Sequence, residues 1–435
     1  MSTLIPLSEI VKYYTPELRN FLISLGNIAQ TMNIVEMVTP VNASQEKEKW
    51  LEAAERGEWK NPHFQYNKDL LATVANSKQQ LEDLFEIMGP ALSTVSNEAP
   101  GKVLCELTKS RYKEIESTIL LAQHILSGQD SHAGEDAKAI YGYPTAQTVS
   151  VALTYADCLG QGGGKLQQDD ANLRTIRNRL KELEFDANRI RENFILAAEQ
   201  CGFSETRPVE ISEYTTAIDV RDKSSRGPIV TIPASRKVNG LKLVELIGHE
   251  ILCHWGDSER AALALPLLGS GALKPADEVL YEGHATLTDY NTKFNLGDEA
   301  PLRQSPFYIL AMAEANNRAT FAETAASLYK LIRPTRSDKS AMALTWTTCL
   351  RVFRGSSGNE KGYVFTKDRA YFEGRVIAER LHEEKLDSIL EISTLSEKDI
   401  QVLRTVVAFE QKENNQIKTV LSMWNLIYQL LDGKL

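Results

Sequence analysis

A chain of 435 residues, 43% hydrophobic and 25% charged, can build two or three packed units or one large elaborated domain. Its formal net charge of −9, with no long basic cluster, argues against nucleic acid as a partner, because phosphate binding needs a cationic surface. The longest apolar runs fall short of the roughly 20 residues that cross a bilayer. The N-terminal stretch lacks a basic segment followed by a continuous apolar one, and Cys105, Cys158, Cys201, Cys253 and Cys349 lie scattered without paired spacing. These features predict a cytoplasmic protein with no disulfide framework and no membrane partner.

In chain order, residues 1–135 read as an N-terminal helical region whose apolar periodicity breaks around Glu58-Trp59-Lys60-Asn61-Pro62. Residues 136–435 form the second region, packed with the first as one unit. The Gly160–Lys165 loop resembles a phosphate loop, but Leu159 and Leu166 stand where that pattern needs glycine and Ser or Thr, so a flexible connection is expected. One long amphipathic helix is predicted over roughly 169–200, with Leu173, Ile176, Leu180, Leu183, Ala187, Ile190 and Phe194 on a single face. Val209–Tyr214 and Ile229–Ile232 read as strands of a small antiparallel sheet, with turn chemistry at Asp222–Gly227 and a stop at Pro233.

Three of the seven histidines, His249, His254 and His284, then fall close together. The string His249-Glu250-Ile251-Leu252-Cys253-His254 carries two imidazoles with a carboxylate directly after the first. That combination suits a hydrolytic zinc site, the imidazoles holding the ion and the carboxylate taking a proton from water. Asn239 is the expected N-cap of its helix, and Val244, Ile247, Ile251 and Trp255 form the apolar stripe opposite the site. The spacing is unusual. Ligands at i and i+4 lie about 40° apart on a helix, whereas i and i+5 lie about 140° apart on an ideal one. Both imidazoles reach one ion only if the helix widens or ends there, so a π-type irregularity is predicted between His249 and His254.

Glu282 is the expected third ligand, on a helix begun near Pro275 with Asp277 and Glu278 at its acidic N-terminus. Gly283 beside it would allow two helices to approach closely. Cys253, four residues after His249, and His284 are alternative ligands, and Glu250 with His254 is an alternative i, i+4 pair.

These strings resemble those of the microtubule-associated tyrosine carboxypeptidase family and its bacterial relatives, which carry His-Glu-x-x-x-His followed by Glu-Gly-x-Ala. Here the second string is Glu282-Gly283-His284-Ala285. Weaker similarity extends to Asn61–Tyr66, Tyr141–Pro144, Arg351–Gly355 and Phe365–Asp368. The resemblance implies that His249, His254 and Glu282 bind Zn2+, that Glu250 is the catalytic base, and that the activity removes a C-terminal residue, aromatic in the animal members, from a protein or peptide. Tyr281, His284 and Leu252-Cys253 depart from the usual Gln, Leu and Gly-Thr.

The expected fold class is α+β, mostly helical and zincin-like, with the small antiparallel sheet beside the metal-bearing helix. A carboxypeptidase also needs a cation for the substrate carboxylate. The span from Arg351 to Arg375 holds six basic and three acidic residues, and Arg354 is the first candidate, followed by Arg351 and Lys367. Tyr281, Tyr363 and Tyr371 are candidate oxyanion donors. Trp346 and Phe353 are expected in the core, and Ile417–Ile427 as an amphipathic helix. A binding or regulatory protein that keeps its zinc without turnover, and a purely structural zinc, are the alternative readings.

Overall fold

The computed structural model describes residues 4–160, 171–203, 208–213, 218–223, 227–269, 273, 276, 278–296, 305–409, 427, 429 and 431. The N-terminal part is helical, as its periodicity predicts. It comprises α1 (Pro16–Thr31), α2 (Ile34–Val38), α3 (Ala43–Glu55), α4 (Leu70–Ser93), α5 (Ala99–Leu126), α6 (Asp130–Tyr141) and α7 (Ala146–Gly160). The expected break at Glu58–Pro62 lies between α3 and α4. The stretch Pro16–Glu55 is long and apolar enough by composition to cross a membrane. In the fold it is divided among α1, α2 and α3, and Leu18, Phe21, Leu22, Leu25 and Ile28 pack into a core shared with α4, α5 and the 378–407 segment.

The predicted helix over 169–200 is two helices, α8 (Ala171–Glu182) and α9 (Ala187–Gln200), split by the short strand β1 (Glu184–Asp186). Asp186 explains the break, because its side chain accepts the Arg189 N–H at 3.0 Å and caps α9. Phe185 turns inward between them and pairs with Val238 of β5 (Lys237–Asn239).

The second sheet also differs from expectation. β2 (Val209–Ser212) runs parallel to β4 (Gly227–Pro233), and β3 (Asp219–Lys223) pairs antiparallel with the other edge of β4. The sequence reading missed β3. That strand pairs with one edge of β4, and β2 takes the other edge, in the parallel direction. Ser224, Ser225 and Arg226 of the predicted turn, the Gln161–Lys165 part of the glycine loop, Pro275, Asp277 and residues 417–426 lie outside the described residues.

Val209, Val220, Val230 and Ile232 share a core with Leu180, Phe185, Ile190 and Phe194, and with the helix that leads into His249 and His254. That helix starts as α10 (Gly240–Leu246), capped by Asn239, whose side chain accepts the Lys242 N–H at 2.9 Å. Val244, Ile247, Ile251 and Trp255 are buried as predicted. Each aliphatic member of the stripe contributes about 1.5–3 kcal/mol on burial, which anchors the helix by one face.

Beyond the site run α11 (Gly256–Ala264), α12 (Val279–Asn295), α13 (Ser305–Asn316), α14 (Phe321–Ile332), α15 (Asp338–Val352), α16 (Arg369–Glu383), α17 (Asp387–Leu390) and α18 (Glu397–Leu403). Trp346 and Phe353 are buried in the core that α13–α15 share with α3, α6 and α7.

Gly283 does serve a close approach, but its partner is α16. A Cβ on Gly283 would strike the Gly374 backbone, and one on Gly374 would strike the Val279 carbonyl. Two glycines facing each other therefore set the α12–α16 separation. Gly374→Ala should separate these helices and destabilise the protein by about 1–3 kcal/mol, read as a lower urea midpoint. An unchanged midpoint would contradict the backbone contact.

Candidate functional site

Ile247–Trp255 is a nine-residue π-helical segment, continuous with α10 before it and α11 after it. Its i→i+5 hydrogen bonding brings residues five apart onto one face, which is the irregularity the His249–His254 spacing requires. The two imidazoles meet edge to face, with ring centroids 4.7 Å apart.

Glu282, in the first turn of α12, brings one carboxylate oxygen, Oε2, to 3.7 Å from His249 Nε2 and 3.8 Å from His254 Nε2. Ligand atoms of His249, Glu250 and His254 also lie within 4.8 Å of one another. Both carboxylates are therefore in reach of the imidazole pair, but the Glu282 oxygen stands nearly equidistant from both nitrogens. That symmetry is what a shared ion asks of a third ligand.

Asp289 holds the other side of His249, with Oδ2 3.0 Å from Nδ1. A carboxylate on the second ring nitrogen fixes the orientation of a metal-ligating histidine. The sequence reading missed Asp289, although its position seven residues after Glu282, two turns along one helix face, was the available signal. Burial alone would hold His249 neutral, but Asp289, with Glu250 and Glu282, outweighs it and lifts the imidazole to about 10 in the metal-free chain. The Glu250 carboxyl is pushed up to about 7, first by burial. His249 opposes that rise, while Glu282, Asp219 and Asp289 add to it.

The three departures from the family strings fall around this pair. Tyr281 stacks on His254, with centroids 4.0 Å apart and planes at 19°, and its hydroxyl bonds to the Ser258 side chain. Cys253 Sγ lies 3.0 Å from Thr288 Oγ1 and 3.8 Å from the His284 carbonyl oxygen, and burial raises its thiol well above the usual range. His284 turns to the buried Asp257, with Nδ1 2.7 Å from Oδ2. Burial works to raise the Asp257 carboxyl, yet His284, Arg260 and Ser393 together hold it below the ordinary value. Cys253 and His284 are thus engaged elsewhere, and Glu282 is the side chain that joins the two imidazoles.

The basic candidates sit on the segment between α15 and α16 or at its ends. Arg351 grips Asp368 with both arms, at 2.5 and 2.6 Å, and lies over the rings of Tyr308 and Tyr371 at 5.2 and 5.3 Å. Lys367 Nζ is 2.5 Å from Glu278 Oε2. The Arg354 guanidinium forms no hydrogen bond or ion pair among the described residues, and burial, with Arg351 adding to it and Asp368 opposing, lowers its pKa.

Of the three tyrosines, Tyr363 donates its hydroxyl to the Arg354 carbonyl deep in the core, and Tyr281 is stacked as described. The Tyr371 hydroxyl lies 3.4 Å from Arg351 Nη2, and Glu282 is the largest influence raising its pKa. It stands between the imidazole cluster and the arginines.

Distant segments brace this region. Tyr66 donates to the Ser356 carbonyl at 2.8 Å, the Ser357 N–H reaches Asp130 Oδ2 at 2.8 Å, and Arg369 Nε bonds the Tyr141 carbonyl. Gly358, at φ 87°, presses on Pro62, where a Cβ would collide. The stretches at 61–66, 141–144 and 351–368 thus meet in space.

A mostly helical fold with small sheets, with two imidazoles and a carboxylate on a widened helical turn and a second carboxylate facing them from α12, has the donor set of a hydrolytic centre. A model of the microtubule-associated tyrosine carboxypeptidase family matches residues 52–398, and the chain belongs to that family of carboxypeptidases. No curated protein matches it.

In the metal-free protein, Asp289→Asn should lower the His249 pKa by about 1–3 units, measured by imidazole NMR titration. Because the folded-state value exceeds 6.5, the stability it brings is complete below about 6.5 and lost as pH rises through about 10. The variant should therefore lose less stability than wild type between those limits. An unmoved His249 titration would contradict the pairing.

Proposed function

We propose that this protein is a zinc-dependent metallocarboxypeptidase that removes a C-terminal aromatic residue from a protein or peptide. In this reading His249, His254 and Glu282 hold Zn2+ and Glu250 is the catalytic base. The observation that carries it is the Glu282 oxygen at 3.7 and 3.8 Å from the two imidazole nitrogens. Neighbouring donors on a tetrahedral zinc, with bonds of about 2.0–2.1 Å, lie roughly 3.3 Å apart, so small inward movements suffice. Two nitrogens and one carboxylate match three-ligand catalytic sites, which keep an open position, whereas closed structural sites favour cysteine. When bound, zinc supplies a Lewis acid that polarises a carbonyl and brings the pKa of coordinated water toward about 7.

The protein's own residues do the rest. Glu250 takes a proton from water and returns it to the leaving amine. Arg351 and Lys367 are engaged by Asp368 and Glu278, which leaves the Arg354 guanidinium to receive the substrate's terminal carboxylate. Tyr371, whose hydroxyl lies 3.4 Å from Arg351 Nη2 and is influenced by Glu282, is the donor we assign to the oxyanion. The family's name supports tyrosine as the released residue. Cys105, Cys201, Cys253 and Cys349 are free thiols, which suits a cytoplasmic location.

Glu250→Gln should keep its zinc, by metal analysis, and lose about 10²–10⁴-fold in turnover of a peptide library with varied C-terminal residues. Turnover near wild type would remove Glu250 as the base. Arg354→Ala should lower kcat/KM about 10–100-fold through KM, the loss of one charge-assisted interaction. C-terminally amidated peptides should be poor substrates for both proteins. Equal cleavage of free and amidated ends by wild type would point to an endopeptidase.

A further inference from the structure

Asp257 is fully buried three residues after His254, at the start of α11. Two of its contacts, to His284 and to Arg260, lead to elements that carry the candidate site. Oδ2 is 2.7 Å from His284 Nδ1, on α12 two residues from Glu282, and 2.5 Å from Ser393 Oγ, beyond α17. Oδ1 accepts from Arg260 Nη2 at 2.6 Å, and the same nitrogen reaches the Leu252 carbonyl, inside the widened turn, at 3.5 Å. One carboxylate therefore links the helix that carries both imidazoles to the helix that carries the glutamate, and braces a carbonyl between His249 and His254.

We propose that Asp257 is a positioning residue that fixes the Glu282 carboxylate against the His249–His254 pair, acting through His284 and through Arg260. The proposal rests on the zinc reading above. The donors around Asp257 include a carboxylate-matched guanidinium and an imidazole, and such charge-assisted bonds are strong and directional in a buried setting. The stacking of Tyr281 on His254 and the contact of Cys253 with Thr288 run alongside this link but supply no charge to hold it. Without Asp257, α12 can shift relative to the π segment, and small displacements of a supporting group degrade a metal site.

The test uses the full chain loaded with cobalt(II), whose visible absorption reports coordination geometry. Asp257→Asn and His284→Leu should each bind cobalt about 10–100-fold more weakly, as outer-sphere changes do, with an altered absorption band. The double variant should be no worse than Asp257→Asn alone, because the His284 bond is among those that Asp257→Asn already disrupts. Wild-type affinity and spectrum in a folded Asp257→Asn protein would overturn the proposal. Should Asp257→Asn fail to fold, His284→Leu decides it by the same two readings. If the wild-type protein takes up no cobalt, the zinc reading itself fails. Amide exchange in the metal-free protein then decides the positioning role. Faster exchange confined to 249–255 in Asp257→Asn supports it, and unchanged or uniformly faster exchange overturns it.

Discussion

Two imidazoles five residues apart face one point only where the helix between them takes up an extra residue per turn. The whole candidate site follows from that widened segment at Ile247–Trp255. A π segment strains the regular hydrogen-bond ladder, so it persists where its surroundings over-determine it. Here the apolar stripe of Val244, Ile247, Ile251 and Trp255 is sunk in a core shared with the sheet and α9. On the other side, α12 contributes Tyr281 against His254 and Asp289 against His249. Core burial fixes one side of the helix, and polar contacts fix the other.

The second constraint is the backbone contact between Gly283 and Gly374. It brings α16 against α12 and so sets Tyr371 beside Glu282, with the Thr286 hydroxyl bonding the Tyr371 carbonyl at 3.3 Å. Around Arg351 the charges are nearly all answered, since Asp368 takes both of its arms. Arg354 is the exception among the described basic candidates, and burying a cation beside another cation costs free energy. A site that binds an anion is a natural place for that cost to be tolerated. The bracing from 61–66, 130 and 141 holds the segment that carries it.

Local chemistry made several features legible in advance. Asn239 as an N-cap needs only its own side chain and the next turn, and the stripe at 244–255 needs only helical periodicity. The widened turn could be inferred because two imidazoles five positions apart do not share one face of a regular helix. The split at Glu184–Asp186 was hidden because the apolar period of 169–200 continues across it. An N-cap aspartate inside such a pattern is easily read as one more residue of the solvated face. Strand β3 was hidden because Asp219–Lys223 alternates weakly and carries mostly charged residues, so its strand state comes from pairing with β4.

The amino-acid sequence by itself determined which residues could meet at the site: His249, Glu250, His254 and Glu282 stand in strings whose spacing restricts the local backbone. Only the tertiary structure decided which of their neighbours are engaged. His284 turns to Asp257 and Cys253 to Thr288, Arg351 pairs with Asp368, and Asp289 reaches back to His249. The reason is physical. Spacing along a helix fixes direction within a turn or two, whereas a hydrogen bond between side chains 17 to 40 positions apart depends on how whole helices pack, and that is set by buried contacts such as the paired glycines.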